Sequence, residues 1–444
     1  MIKYTRIFIT FLLAVIALGA SAQSAQTIAT SSSPYSRYGL GIIDPALLPQ
    51  NIGMGGIATA INSISGYNNI NPLNPASYGA INFTTIDAGI YSDVSSFSQT
   101  GQPNATNSNF RLSHVAFAIP VSRRSAISFG LLPYSEMGYN NIQTIKNFGT
   151  GSSVDTNAVN YLYNGNGGLS KAYLGYGIRI GKHLLVGANV SYIFGNLQQF
   201  SSTEIPTLYG VLDSRTEDDN SVGGLSYDYG IQYSFDFGDG ATKHLVLGYS
   251  ASANSKINTT DTHIVSQYNY NSDGVENVAA DTLQDVQGLQ GKIQLPQINH
   301  FGISFQNDLH FLIGADYTMG HWSALSIQGT NAGFQDSKTF NIGGQFTPDV
   351  NSLHNYFART DYRLGFIYDE TYLNLNNTNV KTTAVTFVFG LPLTPNINSF
   401  YKINFSVEVG QTGTLQNGLV KDNFVSLHLS FTLNDRWFQK FKFE

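Results

Sequence analysis

Three histidines and one aspartate are the side chains in this sequence with the clearest capacity for chemistry. His300, His310 and Asp316 fall on the inward side of two consecutive strand-like segments, and His428 falls on the same side of the last such segment. A His/Asp pair can orient a proton transfer or bind a metal ion. No G-x-S-x-G nucleophile motif accompanies these residues, and the chain contains no Cys. We therefore predict no catalytic residue, no metal site and no cofactor.

The composition narrows the class of protein. The 444-residue chain has 12% charged residues, well below the roughly 25% usual for soluble domains. Its net charge of −6 argues against a nucleic-acid binder, which needs basic patches. A hydrophobic content of 42%, with 26 Tyr and 29 Phe, is too high for a disordered chain. The composition therefore favours neither a disordered protein nor an ordinary cytosolic enzyme.

The first 22 residues have the pattern of an export signal. Lys3 and Arg6 precede an apolar run from Ile7 to Leu18, and small residues follow up to Ala22. A positive start, a short apolar run and a small-x-small site are typical of a cleaved signal peptide. The alternative is a membrane anchor, but a spanning helix needs about 20 apolar residues. We predict a signal peptide over residues 1–22, cleaved after Ala22.

After residue 80, the chain alternates between apolar and polar residues with period two. Because successive strand side chains point to opposite faces, this pattern predicts strands with one apolar face and one polar face. No stretch after residue 80 has a sustained helical period, which indicates an all-β chain. The clearest example is the apolar series Leu225, Tyr227, Tyr229, Ile231, Tyr233, Phe235 and Phe237.

Fourteen segments of this kind can be placed. Short links and long links are predicted to alternate between them, with the long ones at 92–108, 135–168, 196–222, 255–295, 319–337, 370–380 and 412–421. An even strand count with short turns at one end and long loops at the other is typical of bacterial outer-membrane barrels. A soluble β-sandwich need not sort its connections by length, and a propeller would show a repeat. The predicted strands lie near 83–91, 109–120, 126–134, 169–180, 184–195, 223–237, 245–254, 296–305, 309–318, 338–347, 357–369, 381–391, 400–411 and 422–433.

Residues 23–80, which precede the first strand, are not strand-like. They contain Gly-rich and Asn-Pro pieces at Ser33–Gly41, Asn51–Ala58 and Asn71–Tyr78. Such pieces form compact turns, and their polar backbone cannot face lipid. This segment therefore belongs outside the barrel or inside its lumen, where about 60 residues would make a suitable plug.

These motifs resemble the FadL/TodX family of outer-membrane transporters for long-chain fatty acids and other hydrophobic compounds. The resemblance covers nearly the whole mature chain, and its C-terminal end looks like those of Bacteroidota members. It rests on "MGGIATA" followed by Asn74-Pro75-Ala76, on "GLLPYSEMGY" (Gly130–Tyr139), on Leu295–Phe305 and Gly314–Leu325, and on the closing Leu433–Glu444.

The resemblance implies a 14-stranded antiparallel transmembrane β-barrel with an N-terminal hatch. The implied domains are the hatch over residues 23–80 and the barrel over 81–434. The aromatic and basic residues that follow predict a periplasmic tail over 435–444, which is either an anchor at the membrane interface or a docking segment. In that family the hatch plugs the lumen, and ligands bind between the hatch and the wall. Three hatch tyrosines are candidate ligand contacts, although they could equally pack the plug against the wall: Tyr35, Tyr38 and Tyr78.

A kink in the third strand opens a lateral exit in that family. The third strand of this sequence contains Gly130 and Pro133. Pro lacks the N–H that a sheet ladder needs, so it demands a bulge or a break in pairing. We predict a gap in the wall beside these two residues. The alternative is that Pro133 merely ends the strand at the rim.

Two functions remain open from the sequence. The first is passive uptake of small hydrophobic molecules, such as long-chain fatty acids, across the outer membrane of a Gram-negative bacterium with lateral release. The second is a FadL-like barrel that acts as a scaffold or carrier in a protein secretion complex. The expected partners are outer-membrane lipid and a hydrophobic ligand, and for the second function a protein that contacts the extracellular loops. No nucleic acid is expected.

Overall fold

A computed structural model describes residues 33–64, 67–147, 157–206, 211–238, 242–270, 277, 279–308, 310–331, 333–393 and 399–436. The predicted signal peptide and residues 437–444 of the predicted tail lie outside this part of the chain. None of the helices in the described ranges is long and apolar enough to span a membrane.

The chain forms a closed antiparallel barrel of 14 strands, as the alternation predicts. The last strand pairs with the first from Lys421↔Ser98 to Asp435↔Thr84, which closes the sheet. Strands 7 and 8 are each broken into two segments. The strands are β1 (Thr84–Ser98), β2 (Ala105–Ser122), β3 (Ser125–Lys146), β4 (Ala158–Ile180), β5 (Leu184–Glu204), β6 (Asp213–Phe237), β7a (Lys243–Ser252), β7b (Lys256–Tyr268), β8a (Asp281–Gln294), β8b (Ile298–Asn307), β9 (Phe311–Gly320), β10 (Ser337–Phe346), β11 (Asp361–Leu375), β12 (Thr378–Pro392), β13 (Ser399–Gly413) and β14 (Lys421–Asp435).

Shorter elements lie before and between these strands. They are the 3-10 helices Pro34–Arg37, Pro75–Ala80, Trp322–Ala324, Phe357–Arg359 and Gln416–Gly418, the α-helix Pro49–Ile52, and the short strands Ile42–Ile43, Ser63–Ile64, Tyr67–Asn68, Ser326–Ile327 and Thr330–Asn331.

The outer face of the barrel is apolar and aromatic. On β6 the seven alternating apolar side chains predicted to share a face are 41–49% exposed, whereas Ser226, Asp228 and Gln232 between them are buried. A soluble protein rarely exposes a continuous apolar surface of this size, and lipid is the environment in which it is stable. The polar faces of the strands line the lumen.

The barrel rises much higher on one side than on the other. We call the end with the Ser122–Ser125 turn the turn end, and the opposite end the loop end. Strands β3 to β6 have 22, 23, 21 and 25 residues, whereas β9 and β10 have 10 each. The extra residues extend the sheet formed by β3 to β8 beyond the loop end of the shorter strands. We call this extension the tall wall.

The prediction of long loops is wrong for most of their length, because the strands continue into them. For example, predicted loop 135–168 contains the end of β3 and the start of β4, and predicted loop 370–380 is a hairpin whose turn is Asn376–Asn377. Beyond the lipid an outward side chain need not be apolar, so the alternation disappears although the strand does not. The strict short/long alternation is also wrong, since 14 residues at the turn end (347–360) separate β10 from β11.

The described part of the predicted hatch, residues 33–64 and 67–80, bonds to the barrel strands. Its polar groups bond to inward side chains on opposite sides of the lumen: Gln50 to Asp87 of β1, and Ala60 to Ser304 of β8b. Contacts with strands around the circumference are those expected of a segment that fills the lumen. Further contacts are Ser33 with Asp422, Gly55 with Thr386 and Asn341, Thr59 with Gln232, Asn68 with Thr85, and Pro72 with Asn189.

Inward glycines let the hatch backbone approach the wall closely. A Cβ on Gly343 would lie 2.1 Å from the Met54 carbonyl oxygen, and one on Gly365 would lie 1.9 Å from the Gly55 nitrogen. Such distances exclude a side chain at these positions. Several of these glycines are direct cross-strand neighbours, so they form a band around the lumen that we call the glycine girdle: Gly177, Gly187, Gly230, Gly248, Gly302, Gly343 and Gly365.

Candidate functional site: an opening in the barrel wall

The hydrogen-bond ladder of the wall is interrupted between β2 and β3. Pairing of the two strands runs from Ser122↔Ser125 to Val115↔Leu131 and stops there. From this point β3 continues to Lys146 paired with β4, and among the described wall strands it has no partner on its other edge, although β2 extends back to Ala105. In the described residues the facing edges of both strands therefore pair with no other wall strand. We call this interval the wall opening.

Pro133 lies where β3 leaves β2. The register of β3 against β4 shifts between Pro133↔Ser170 and Ser135↔Leu169, which makes Tyr134 a bulge. The alternative that Pro133 ends the strand is wrong, because β3 runs 13 residues further to Lys146. Proline is tolerated at strand edges and bulges, and both conditions hold here.

A short piece of the hatch crosses the wall opening. Ile42 and Ile43 pair antiparallel with Glu136 and Ser135 of β3. The Asp44 backbone N–H then donates to the Tyr134 carbonyl oxygen at 3.0 Å. Part of the missing wall is thus supplied by the hatch itself.

Ion pairs complete the closure from the β2 side. Arg111 of β2 binds the Asp44 carboxylate with both terminal nitrogens, at 3.0 and 2.9 Å, and its Nε lies 3.2 Å from Glu136 Oε2. Asn109 donates a further hydrogen bond to Glu136. These four side chains, which we call the latch, are the groups that bridge β2, β3 and the hatch. Bidentate pairing makes the Arg111–Asp44 contact the strongest of them.

An apolar cluster lies on the lumen side of the opening. Ile43 and Tyr134 pack against buried side chains contributed by β3 to β8, β11 and β12, by the 322–334 segment and by the hatch. The buried members are at most 9% exposed, so they pack directly against one another. They are Tyr35, Leu40, Met137, Tyr139, Leu169, Ile193, Leu197, Val222, Ile257, Ile293, Leu295, Trp322, Leu325, Tyr372, Leu373 and Val380.

Comparison with known protein families identifies the chain. Its sequence matches the BamG family over residues 1–444. The chain belongs to the BamG family. No curated protein matches its sequence.

Three solved structures of channels and transporters share the fold of this BamG-family chain. The monoaromatic hydrocarbon channel CymD has a TM-score of 0.52 at 15% identity, covering 90% of this chain and 99% of that one. The toluene transporter TodX from Pseudomonas putida has 0.52 at 13% identity, with coverage of 89% and 99%. A FadL homologue from Pseudomonas aeruginosa has 0.53 at 11% identity, with coverage of 90% and 100%. At this level of identity the comparison shows the fold, and the resemblance to the FadL/TodX family is confirmed as a structural one.

The three hatch tyrosines predicted to contact a ligand do not lie together. Tyr35 and Tyr38 belong to the apolar cluster beside the wall opening, and the Tyr35 hydroxyl donates to the Val420 carbonyl oxygen. Burial, with a smaller contribution from Asp422, raises the pKa of Tyr35 to about 12. Tyr78 lies in a separate cluster with Leu132 and Tyr173. The first two tyrosines therefore share a cluster with Ile43 and Tyr134 of the opening, whereas Tyr78 lies beside Leu132 at its lower border.

The Asn74-Pro75-Ala76 motif shapes the hatch. Asn74 caps the 3-10 helix Pro75–Ala80 by accepting a hydrogen bond from Ala76 N–H at 3.1 Å, and its amide donates to the Thr59 carbonyl oxygen. The Pro75 carbonyl oxygen approaches Gly177 and Gly187 of the girdle. The motif thus fixes the turn that docks the hatch against β4 and β5.

Gly130 lies just inside the intact part of the ladder. It pairs with Ala116 of β2 and Tyr173 of β4, one residue before the last β2–β3 pair. A Cβ there would lie 2.4 Å from the Val115 carbonyl oxygen. Gly130 therefore shapes the lower border of the wall opening.

The His and Asp candidates do not form one site. Asp316 accepts hydrogen bonds from Ala58 and Thr59 N–H at 2.8 and 2.7 Å, so it anchors the hatch. His300 bonds to a threonine, His310 lies exposed at the turn end, and His428 packs on Tyr91. No group of three or more potential metal ligands occurs among the described residues.

Sequence reasoning missed the latch. Arg111, Asp44 and Glu136 lie far apart in the chain and share no local motif. The sequence marks them only as charged residues in a chain that has few. Arg111 also occupies a position of β2 that alternation predicts to face the lumen. Pairing them required the register of β2, β3 and the hatch.

Proposed function

We propose that this BamG-family barrel is an outer-membrane channel for the passive movement of small hydrophobic molecules, with lateral release through the wall opening. The observation that carries this proposal is the interrupted β2–β3 ladder beside an apolar cluster in the lumen. A closed barrel needs no such interruption. The interruption is costly, because backbone groups of the described wall strands are left without a strand partner beside lipid.

The apolar cluster supplies a path to the opening. With the turn end on the periplasmic side, as in other outer-membrane barrels, the cluster lies towards the extracellular side of the hatch. A hydrophobic molecule entering from outside would separate these side chains and reach Ile43 and Tyr134 at the opening. Release then requires only that the Ile42–Asp44 piece of the hatch moves, because the glycine girdle holds the rest against the wall.

The ligand class follows less directly. The similar channels CymD and TodX are named for monoaromatic hydrocarbons and toluene. The sequence resemblance instead suggests long-chain fatty acids. We propose that the ligand is a small apolar molecule, either an aromatic hydrocarbon or a fatty acid. Measuring the uptake of toluene and of oleate under the same conditions decides between the two.

Weakening the latch tests the proposal. In Arg111→Gln the carboxylates of Asp44 and Glu136 lose their shared cation and repel each other, so the hatch piece should leave the opening more often. We expect uptake of radiolabelled toluene or oleate by intact cells to rise by about fivefold, as for a gate that limits flux. The matched control is Lys381→Gln, which breaks the exposed pair with Glu370 far from the opening. Equal uptake by the variant, the control and the unmodified protein would contradict the proposal.

A second candidate function is that of a scaffold or carrier in a protein complex, such as a secretion machine. The tall wall favours it, because transport alone does not need strands of 21–25 residues. Replacing Asn140–Asn164 at the top of the β3–β4 hairpin by a tight turn would remove part of this surface. If the scaffold function holds, the shortened protein keeps its ligand uptake but is no longer purified from its own membrane with a stoichiometric protein partner.

A further inference from the structure

The outer face of the barrel has a groove that crosses β9, β10, β11 and β12. The groove has a volume of about 760 Å³, a size that is common for small-molecule sites. The wall opening between β2 and β3 lies on another side of the ring of strands. The groove is therefore separate from the opening, and it faces lipid instead of the lumen.

A glycine at an outward position forms the floor of the groove. Gly344 of β10 lies between Gly343, which contacts the hatch, and the buried Gln345, so its own position faces outward. Its direct partners on the neighbouring strands, Ile313 and Leu364, are 54% and 60% exposed. A Cβ on Gly344 would lie 2.6 Å from a backbone oxygen of β9, so the pairing of the strands itself disfavours any side chain here.

Two rows of outward side chains form the walls of the groove, and the members of each row are direct cross-strand partners. Among these side chains the only polar group is the Tyr362 hydroxyl, so a ligand in the groove meets almost entirely apolar surface. The row towards the turn end is Phe311, Phe346 and Tyr362, and the row towards the loop end is Ile342, Phe366 and Val385.

The 347–360 segment lies at the turn end of the groove. The Tyr362 hydroxyl donates to the Phe357 carbonyl oxygen at 3.1 Å, which joins the wall of the groove to this segment. Phe357 and Leu353 are 70% and 88% exposed, although both are large and apolar. Exposed aromatic residues at the end of a membrane strand are typical of the interface between lipid tails and headgroups.

The same segment carries a cation without an acidic partner. The Arg359 guanidinium carbon lies 5.6 Å from the centre of the Tyr356 ring, and its buried Nε has no hydrogen-bond partner. Among the described residues Arg359 forms no ion pair, and the carboxylate of Asp349 accepts a hydrogen bond from the Asn351 N–H instead. A guanidinium at the membrane interface attracts and binds the phosphate of a lipid headgroup.

We propose that this groove binds one phospholipid of the periplasmic leaflet, with an acyl chain over Gly344 and the phosphate on Arg359. An apolar groove that ends at an unpaired cation matches the chemistry of an amphiphile with an anionic head. Because lipid tails are as apolar as the protein surface, close packing and charge decide such binding. Gly344 supplies the first and Arg359 the second. This inference does not depend on which molecule passes through the barrel.

Native mass spectrometry with palmitoyl-oleoyl-phosphatidylglycerol tests the phosphate contact. The full-length barrel is purified in detergent, stripped of lipid and titrated with this phospholipid. We expect one tightly bound molecule per barrel, and about fivefold lower occupancy in Arg359→Gln. Arg436→Gln is the matched control, because Arg436 also lies at the turn end over an aromatic ring, 5.1 Å from the centre of Phe83. Its occupancy should equal that of the unmodified protein.

A larger side chain beside the glycine tests the groove itself. In Leu364→Trp the indole should cover Gly344, as aromatic side chains do for glycines in sheets, and lower the occupancy at least about fivefold. Leu429→Trp is the matched control, since Leu429 faces outward on β14 between Phe405 and Ile90. A diacylglycerol with the same two chains separates chain from head. Its binding should fall in Leu364→Trp and stay unchanged in Arg359→Gln.

Three results would overturn the proposal. In the first, Arg359→Gln binds phosphatidylglycerol as well as Arg436→Gln does. In the second, Leu364→Trp and Leu429→Trp retain equal amounts of lipid, which would mean that the bound lipid lies elsewhere on the barrel. In the third, the unmodified protein binds no lipid but carries a second copy of the chain, and Leu364→Trp releases that copy.

Discussion

At the residue scale, the wall opening and the hatch depend on the hydrogen-bonding capacity of a few side chains. Pro133 cannot donate to a ladder, Arg111 can bind one carboxylate with two nitrogens, and Asp316 can accept two backbone N–H groups at once. Each is placed where that property matters: at the bulge, across the opening and against the hatch.

Replacing Pro133 by Val should reduce uptake. Valine supplies an N–H and favours a regular strand, so the bulge at Tyr134 becomes less necessary and β3 can pair further with β2. We expect ligand uptake by intact cells to fall by about threefold or more, as the gate opens less often. Pro120→Val, in β2 near the turn end, is the matched control. Unchanged uptake in Pro133→Val would count against a functional gap.

Asp316→Asn should loosen the hatch. The amide keeps one acceptor oxygen but loses the charge that strengthens both bonds to Ala58 and Thr59. Hydrogen bonds to a charged group contribute about 1.5–3 kcal/mol, so we expect a loss of about 1–2 kcal/mol in the free energy of unfolding. Denaturant unfolding measures it. Asp236→Asn, which breaks only partly exposed contacts with His183 and His244, should cost less than about 0.5 kcal/mol.

At the element scale, the sequence predicts the strands where contact with lipid requires alternating apolar side chains. It does not predict them where that requirement ends. All 14 strands were predictable because outward apolar residues alternate within the membrane. Their loop-end extensions were not, since both faces of the tall wall meet water or the hatch. The two-residue turn at Asn376–Asn377 was also missed, although positive φ at both positions, 51° and 58°, is a conformation that Asn adopts readily.

The glycine girdle gives a test at this scale. In Gly343→Ala the added Cβ would meet the Met54 carbonyl oxygen at 2.1 Å, so either the hatch or β10 must shift. We expect the hatch to become cleavable by added protease in the folded barrel. Gly223→Ala is the control, because its Cβ would meet only the end of the Tyr192 side chain. Resistance of both variants to protease would show that the girdle does not hold the hatch.

At the scale of the whole molecule, the hatch is held tightly along most of the wall and less tightly beside the wall opening between β2 and β3. Girdle glycines on seven strands let the hatch backbone pack closely from β4 round to β11. Beside the wall opening the hatch is held by the latch, by the two-residue pairing with β3 and by single hydrogen bonds to Tyr134 and Gly138. The sequence could place a gap near Gly130 and Pro133 because proline carries a local signal. It could not find the latch, because the latch arises from the register between distant segments.

Locking the wall opening with a disulfide shows whether molecules leave the barrel through this wall. Ile43→Cys with Ser135→Cys joins the hatch to β3 at two positions that are direct partners, and Ser63→Cys with Asn68→Cys is the control disulfide within the hatch. Uptake of radiolabelled toluene and oleate is measured in intact cells under oxidising conditions and again after reduction. We predict that the first disulfide abolishes uptake and reduction restores it, while the control disulfide has no effect. Uptake that is the same with the opening locked and unlocked would contradict lateral release through this wall.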